Sequence, residues 1–229
     1  MTQFLWVIFP YVVMTVFVGG SLMRYALDPM GWGSQSSQIF EGRQLRWGSQ
    51  LFHWGIILVF FGHIAGLLVP IGVYRALGVS AAFYHLNAEV MGGITGLAAW
   101  TGIVILAWRR GTNSRVRRHS HKSDGFVLVL LWLVVTTGLL MTLVYPAVKG
   151  LYEYRVTVGP WIRGLLMFDP NAQLMVHVPL ILKIHILLSL VFFGVFPFTR
   201  LVHIWSVPLA YLRRAPIQYR SRTSYRKSS

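Results

Sequence analysis

The sequence predicts an all-α membrane protein, a five-span transmembrane helical bundle. Three observations carry that prediction. Of 229 residues, 55% are hydrophobic and only 12% charged, whereas an ordinary soluble domain is about 25% charged. Mean hydropathy is +0.58. The apolar residues also gather into five runs, each close to the roughly 20 residues that a helix needs to cross the hydrocarbon core. None of the runs alternates as a barrel strand would, which leaves helices to satisfy the backbone in lipid.

The first expected span is Phe4–Met23. It lacks the basic leader and small-residue cleavage site of a secretory signal, so it is read as retained. The others are Leu51–Val69, Phe83–Trp108, Phe126–Tyr145 and Val178–Phe198. Residues 146–178 are long for a simple connection and contain Gly150, Gly159-Pro160, Arg163 and Asp169-Pro170. They are expected to fold as an outer cap at the interface, with a short amphipathic piece at Trp161–Phe168. The expected organisation is a transmembrane domain over 1–212, cap included, and a basic cytoplasmic tail over 213–229.

Five spans put the termini on opposite sides of the membrane, and the basic residues choose the orientation. With the N-terminus outside and the C-terminus cytoplasmic, segments 24–50, 109–125 and 199–229 face inward. They hold sixteen of the 21 basic residues, leaving Arg75, Lys149, Arg155, Arg163 and Lys183 outside. The positive-inside rule selects this topology. The excess of 21 basic over 6 acidic residues is then explained by orientation and by contact with lipid headgroups or a cytoplasmic partner. Nucleic acid is not called for.

Cysteine is absent, which excludes disulfides, Cys-bound zinc, iron–sulfur clusters held by this chain and covalent haem. Histidine is left as the candidate ligand. His119 and His121 fall in the basic loop, and His85 and His177 at the outer starts of spans three and five. His53 and His63 lie in span two, His185 in span five and His203 at its cytoplasmic end. Ionisable groups at such depth mark function by default. Spans two and five are antiparallel, so the histidines match in level as His53 with His203 and His63 with His185. Two facing imidazoles at each of two levels suit the axial positions of two haem irons. Catalytic zinc would usually add a third protein ligand, and Glu89 is the lone acid within a span.

The spacings agree imperfectly. Ten residues of helix rise about 15 Å and eighteen about 27 Å, so Pro197 is expected to kink span five and helix tilt to absorb the remainder. Gly55, Gly62 and Gly66, with Gly92, Gly93 and Gly96 in span three, are small residues that would fit beside a flat macrocycle. Gly62-x-x-x-Gly66 also fits plain helix packing.

Several stretches carry a family resemblance. Leu51-Phe52-His53-Trp54-Gly55, Gly62-His63, Thr157-Val158-Gly159-Pro160-Trp161 and the block from Pro197 to Pro208 resemble the gamma subunit of respiratory nitrate reductase. Residues Pro10–Arg24 leading to Ser36-Ser37 are similar as well. The resemblance implies a di-haem cytochrome b that oxidises quinol, with two non-covalent b-type haems. The inner would be held by His53 and His203, the outer by His63 and His185. It further implies a cytoplasmic iron–sulfur subunit, a molybdenum subunit that reduces nitrate, and residence in a bacterial or archaeal cytoplasmic membrane. Quinol would bind near the outer haem beside His63 and Gly62, its protons leaving outward while its electrons pass inward. Where the family often has a lysine, this chain has Leu86, with His85 next to it as the candidate polar group. Arg200, Trp205 and the run Arg115–Arg118 are candidates for propionate contact or partner docking. The rival readings are the cytochrome b subunit of a hydrogenase, formate dehydrogenase or sulfite-reduction complex, a His-lined transporter, and a haem-free anchor.

Overall fold

A computed structural model describes residues 1–28 and 39–206. Ser36-Ser37, Val207-Pro208 and the tail from Arg213 lie outside the described residues. In chain order the helices are α1 (Phe4–Leu27), α2 (Arg43–Leu68), α3 (Ile71–Ala76), α4 (Ala81–Thr112), α5 (Ser114–Arg118), α6 (Lys122–Lys149), α7 (Val158–Leu166) and α8 (Leu180–Phe198). Among the described residues, α1, α2, α4, α6 and α8 are the five helices long and apolar enough to cross a membrane.

Two of these helices extend well past their apolar runs. α2 begins at Arg43 rather than Leu51, because Glu41 accepts the amides of Gln44 and Leu45 and satisfies donors that the first turn leaves open. α6 begins at Lys122, where Asp124 reaches back to the amide of His121. Hydropathy does not register such polar end turns. α6 also runs on to Lys149, so the cap starts at Gly150.

α2 and α4 pack closely through glycine. A Cβ at Gly55 would collide with the backbone of Thr95 and Ala99, and one at Gly102 with that of Gly48 and Phe52. Gly93 and Gly96 receive Leu143 and Leu139 of α6. Gly66 receives the hydroxyl ends of Tyr84 and Tyr154. These glycines therefore serve helix crossings and side-chain contacts rather than a cofactor's face. Gly62, beside His63, is different: nothing lies within 4 Å of where its Cβ would be.

Residues 150–179 fold back onto the bundle. Trp161 on α7 is 1% exposed, stands edge-on to Trp6 of α1 and donates its indole N–H to the Trp6 carbonyl at 2.8 Å. Val158, Leu165, Met175 and Val178 complete this core. The expected amphipathic piece is thus α7, which starts three residues earlier and ends two residues earlier, with its apolar side turned into the protein. Arg163 donates to the carbonyl of Leu67 at 2.7 Å, satisfying an acceptor at the end of α2. We call this the cap end of the bundle. The opposite end carries a second core of Ala99, Ile103, Leu131, Phe196, Leu201 and Val202.

Pro197 does more than kink α8. The helix closes in a tight turn at Phe196–Phe198, Thr199 is extended, and the chain resumes as a 3₁₀ turn over Arg200–Ser206. The break lets eighteen residues answer ten.

Candidate functional site

Four histidines meet in two pairs. The ring centroids of His53 and His203 are 6.3 Å apart with their planes at 66°, and those of His63 and His185 are 6.1 Å apart at 23°. All four rings are held in the same way. Nδ1 of His53 lies 2.7 Å from the carbonyl of Ser49, and Nδ1 of His63 lies 2.8 Å from that of Val59. For His185 the acceptor is Val134 of α6 at 3.0 Å, and for His203 it is Arg200 at 2.6 Å. A carbonyl only accepts, so each Nδ1 carries a proton, and Nε2 is the nitrogen that could act as a ligand. Metal-bound imidazoles are typically oriented by such a hydrogen bond.

The two pairs are positioned by different means. His185 sits within α8 against α6: Thr137 lies 3.1 Å from its Nδ1, and a Cβ on Gly138 would stand 3.1 Å from its Cε1. His203 sits on the turn beyond the helix break, held by long-range polar ties. Arg24 of α1 donates to the carbonyls of Pro197 and Thr199 at 2.8 and 2.9 Å. Arg200 pairs with Asp124 of α6 at 2.9 Å. Val202 is fully buried, while Trp205 packs on Phe17 and Phe196. Arg200 and Trp205, candidates for propionate contact or docking, are thus engaged in holding this turn. In the Arg115–Arg118 run Val116 is buried, and His119 directly after it packs on Phe40.

The donor set fits a haem better than a bare metal ion. A metal ion held between two imidazole nitrogens would set their ring centroids about 6 Å apart. Both pairs match that span. Among the described residues, no cluster of three or more His, Asp or Glu side chains is placed to hold a metal ion. His53 with His203 and His63 with His185 would suit a haem, whose macrocycle would supply the iron's other ligands.

A family model described as nitrate reductase gamma subunit matches residues 2–222. The chain belongs to that family. It is 46% identical over 221 residues to the nitrate reductase gamma chain of Bacillus subtilis, covering 96% of this chain and 99% of that protein. It is 36% identical over 220 residues to the respiratory nitrate reductase 2 gamma chain of Escherichia coli, covering 96% of each. A nitrate reductase-like protein of Mycobacterium tuberculosis, NarX, is 40% identical over 97% of this chain but only 34% of its own length. The chain is a multi-pass membrane subunit of a respiratory nitrate reductase.

In this member of the family, Leu86 is 61% exposed, while the neighbouring His85 turns into the protein. Its side chain is 13% exposed, with Nε2 2.9 Å from Glu153 of the cap. Burial acts to raise the pKa of Glu153, but hydrogen bonds from Arg155 and His85 outweigh it and bring the carboxyl to about 2. Burial and the Tyr84 hydroxyl push the Tyr154 phenol above its ordinary range. Sequence reasoning missed Glu153 and Arg155. Their one signal was the presence of charge inside an otherwise apolar outer segment.

Proposed function

We propose that this subunit is a quinol-oxidising di-haem cytochrome b, with His53 and His203 holding one b-type haem and His63 and His185 the other. The observation that carries the reading is the two imidazole pairs with ring centroids 6.3 and 6.1 Å apart, each ring tied through Nδ1 to a backbone carbonyl. When bound, the two haems supply one-electron redox chemistry at two levels of the bundle, which the protein holds and tunes.

The chain's own residues do the positioning. Carbonyls of Ser49, Val59, Val134 and Arg200 set the tautomer of each ligand and raise its basicity. Ser49 and Thr137 add a hydroxyl to the same nitrogen of His53 and His185, at 3.2 and 3.1 Å. Quinol binds at the cap end beside His63, where the open backbone at Gly62 admits a flat ring. In this topology the N-terminus and cap lie outside, and the arginine-rich segments at the opposite end face the cytoplasm in a bacterial cytoplasmic membrane. Electrons leave there to an iron–sulfur subunit and then to a molybdenum subunit that reduces nitrate.

A reduced-minus-oxidised spectrum with haem quantified per chain tests the reading. The expected result is two low-spin b haems, falling to one in His53→Ala or His63→Ala. Protein from haem-replete cells that carries none would overturn it.

A further inference from the structure

The four paired histidines each lean on a backbone carbonyl, but His85 leans on a carboxylate from another part of the chain. Glu153 Oε2 lies 2.9 Å from His85 Nε2. The same carboxylate is gripped by Arg155, at 2.7 Å from Nε to Oε1 and 2.6 Å from Nη2 to Oε2. Arg155 is 2% exposed, and its guanidinium lies 3.8 Å from the centroid of the Tyr84 ring. The Tyr84 and Tyr154 hydroxyls are 2.9 Å apart. A Cβ on Gly66 would come within 3.0 Å of the Tyr84 hydroxyl, so the cluster abuts the turn of α2 directly after His63. Tyr74 of α3 packs on Tyr84 with centroids 4.9 Å apart and donates to the carbonyl of Ala65.

We propose that His85, oriented by Glu153, is the base that takes the hydroxyl protons of quinol, and that Arg155 with the Tyr84–Tyr154 pair fixes this base beside the His63 turn. The inference rests on the quinol-oxidising reading above. An ionised carboxylate accepts the Nε2–H of a neutral imidazole and so leaves the ring lone pair on Nδ1. Each quinol gives up two electrons and two protons on becoming quinone. The electrons leave to the one-electron acceptors of that reading. Each proton passes from a quinol O–H to His85 Nδ1, and from the imidazolium to water at the cap end, before the next is taken. The Arg155 guanidinium also lies 3.4 Å from Nε2, on the side of the ring away from the proton-accepting Nδ1. Glu89, one turn further along α4, is the nearest acid on the histidine's own helix.

The test uses the assembled complex, with wild type, His85→Gln and Glu153→Gln compared between about pH 5 and 9. Quinol-driven nitrate reduction is normalised to reduction by an artificial dye, and haem per chain is counted. General-base removal typically costs 10²-fold or more, so His85→Gln is expected to lower quinol-driven kcat about 100-fold. Glu153→Gln should lower it about tenfold and displace the acid limb of its pH profile. Binding of a quinone-like inhibitor, read by fluorescence quenching, should change less than about threefold, and added imidazole should partly restore kcat in His85→Ala. The rescue decides the matter even where Glu153→Gln does not assemble. Wild-type pH profiles and kcat within twofold in haem-replete variants would overturn the assignment, as would loss of inhibitor binding with kcat intact. A haem-free wild type would instead overturn the cytochrome reading itself.

Discussion

The two ends of the bundle hold equivalent histidine pairs by opposite strategies. At the cap end both histidines ride on transmembrane helices, and His185 is fixed by its fit against Thr137 and Gly138 of α6. At the opposite end one histidine has left its helix. His203 lies on a seven-residue 3₁₀ turn, placed there by Arg24 from α1 and by the Arg200–Asp124 pair to α6. Helix packing sets the first site and polar ties set the second. A rigid helix places a ligand only at levels its rise allows, whereas a broken helix reaches any level at the cost of bonds to secure it.

On the di-haem proposal, removing one of the paired histidines should give the largest effect and should separate the two ends. His185→Ala and His203→Ala are each expected to reduce haem from two per chain to one, with different bands lost in the low-temperature difference spectrum. The same band lost in both would show that the pairs are not independent.

Crowding the cap-end pair comes next. Gly138→Leu adds atoms where a Cβ alone would already stand 3.1 Å from the His185 ring. It should release the His63–His185 haem while sparing the other, as counted by pyridine haemochrome.

Cutting the polar ties is a smaller change and acts at the other end. Arg24→Ala leaves two carbonyls without its donor, and losses of this kind cost about 1–3 kcal/mol each. Haem should dissociate faster from the His53–His203 site alone, and thermal unfolding in detergent should shift down. Equal loosening at both sites would mean that Arg24 holds the bundle rather than the turn.

The smallest expected effect is the acid response of the cap. The folded pKa of Glu153 is held at about 2, below its ordinary value of 4.5. The ion pair therefore contributes fully above the ordinary carboxylate range and is lost progressively as pH falls toward about 2. Unfolding scans in detergent should show wild type losing more stability over that window than Glu153→Gln, with little change at the opposite end. Coincident acid transitions in the two proteins would remove Glu153 as the source.

The five spans and the two histidine pairs were legible in the sequence, because hydropathy and depth are properties of a chain read in one dimension. Once spans two and five are antiparallel, residue number converts to level, and His53 can match only His203. The role of the glycines was not legible. Gly55 and Gly66 lie near ligands in sequence, but in space they admit α4 and two tyrosines. The His85–Glu153 contact was hidden as well, since it spans 68 residues and depends on how the cap folds back.

The sequence by itself determined a five-helix membrane protein with histidine at two depths, since the transfer cost of polar groups into lipid acts on each segment separately. Only the tertiary structure decided where α8 ends, which carbonyl fixes each imidazole and what His85 faces. Those outcomes depend on hydrogen bonds between segments far apart in the chain, such as Arg24 to Pro197 and Glu153 to His85. A local pattern contains no term for them.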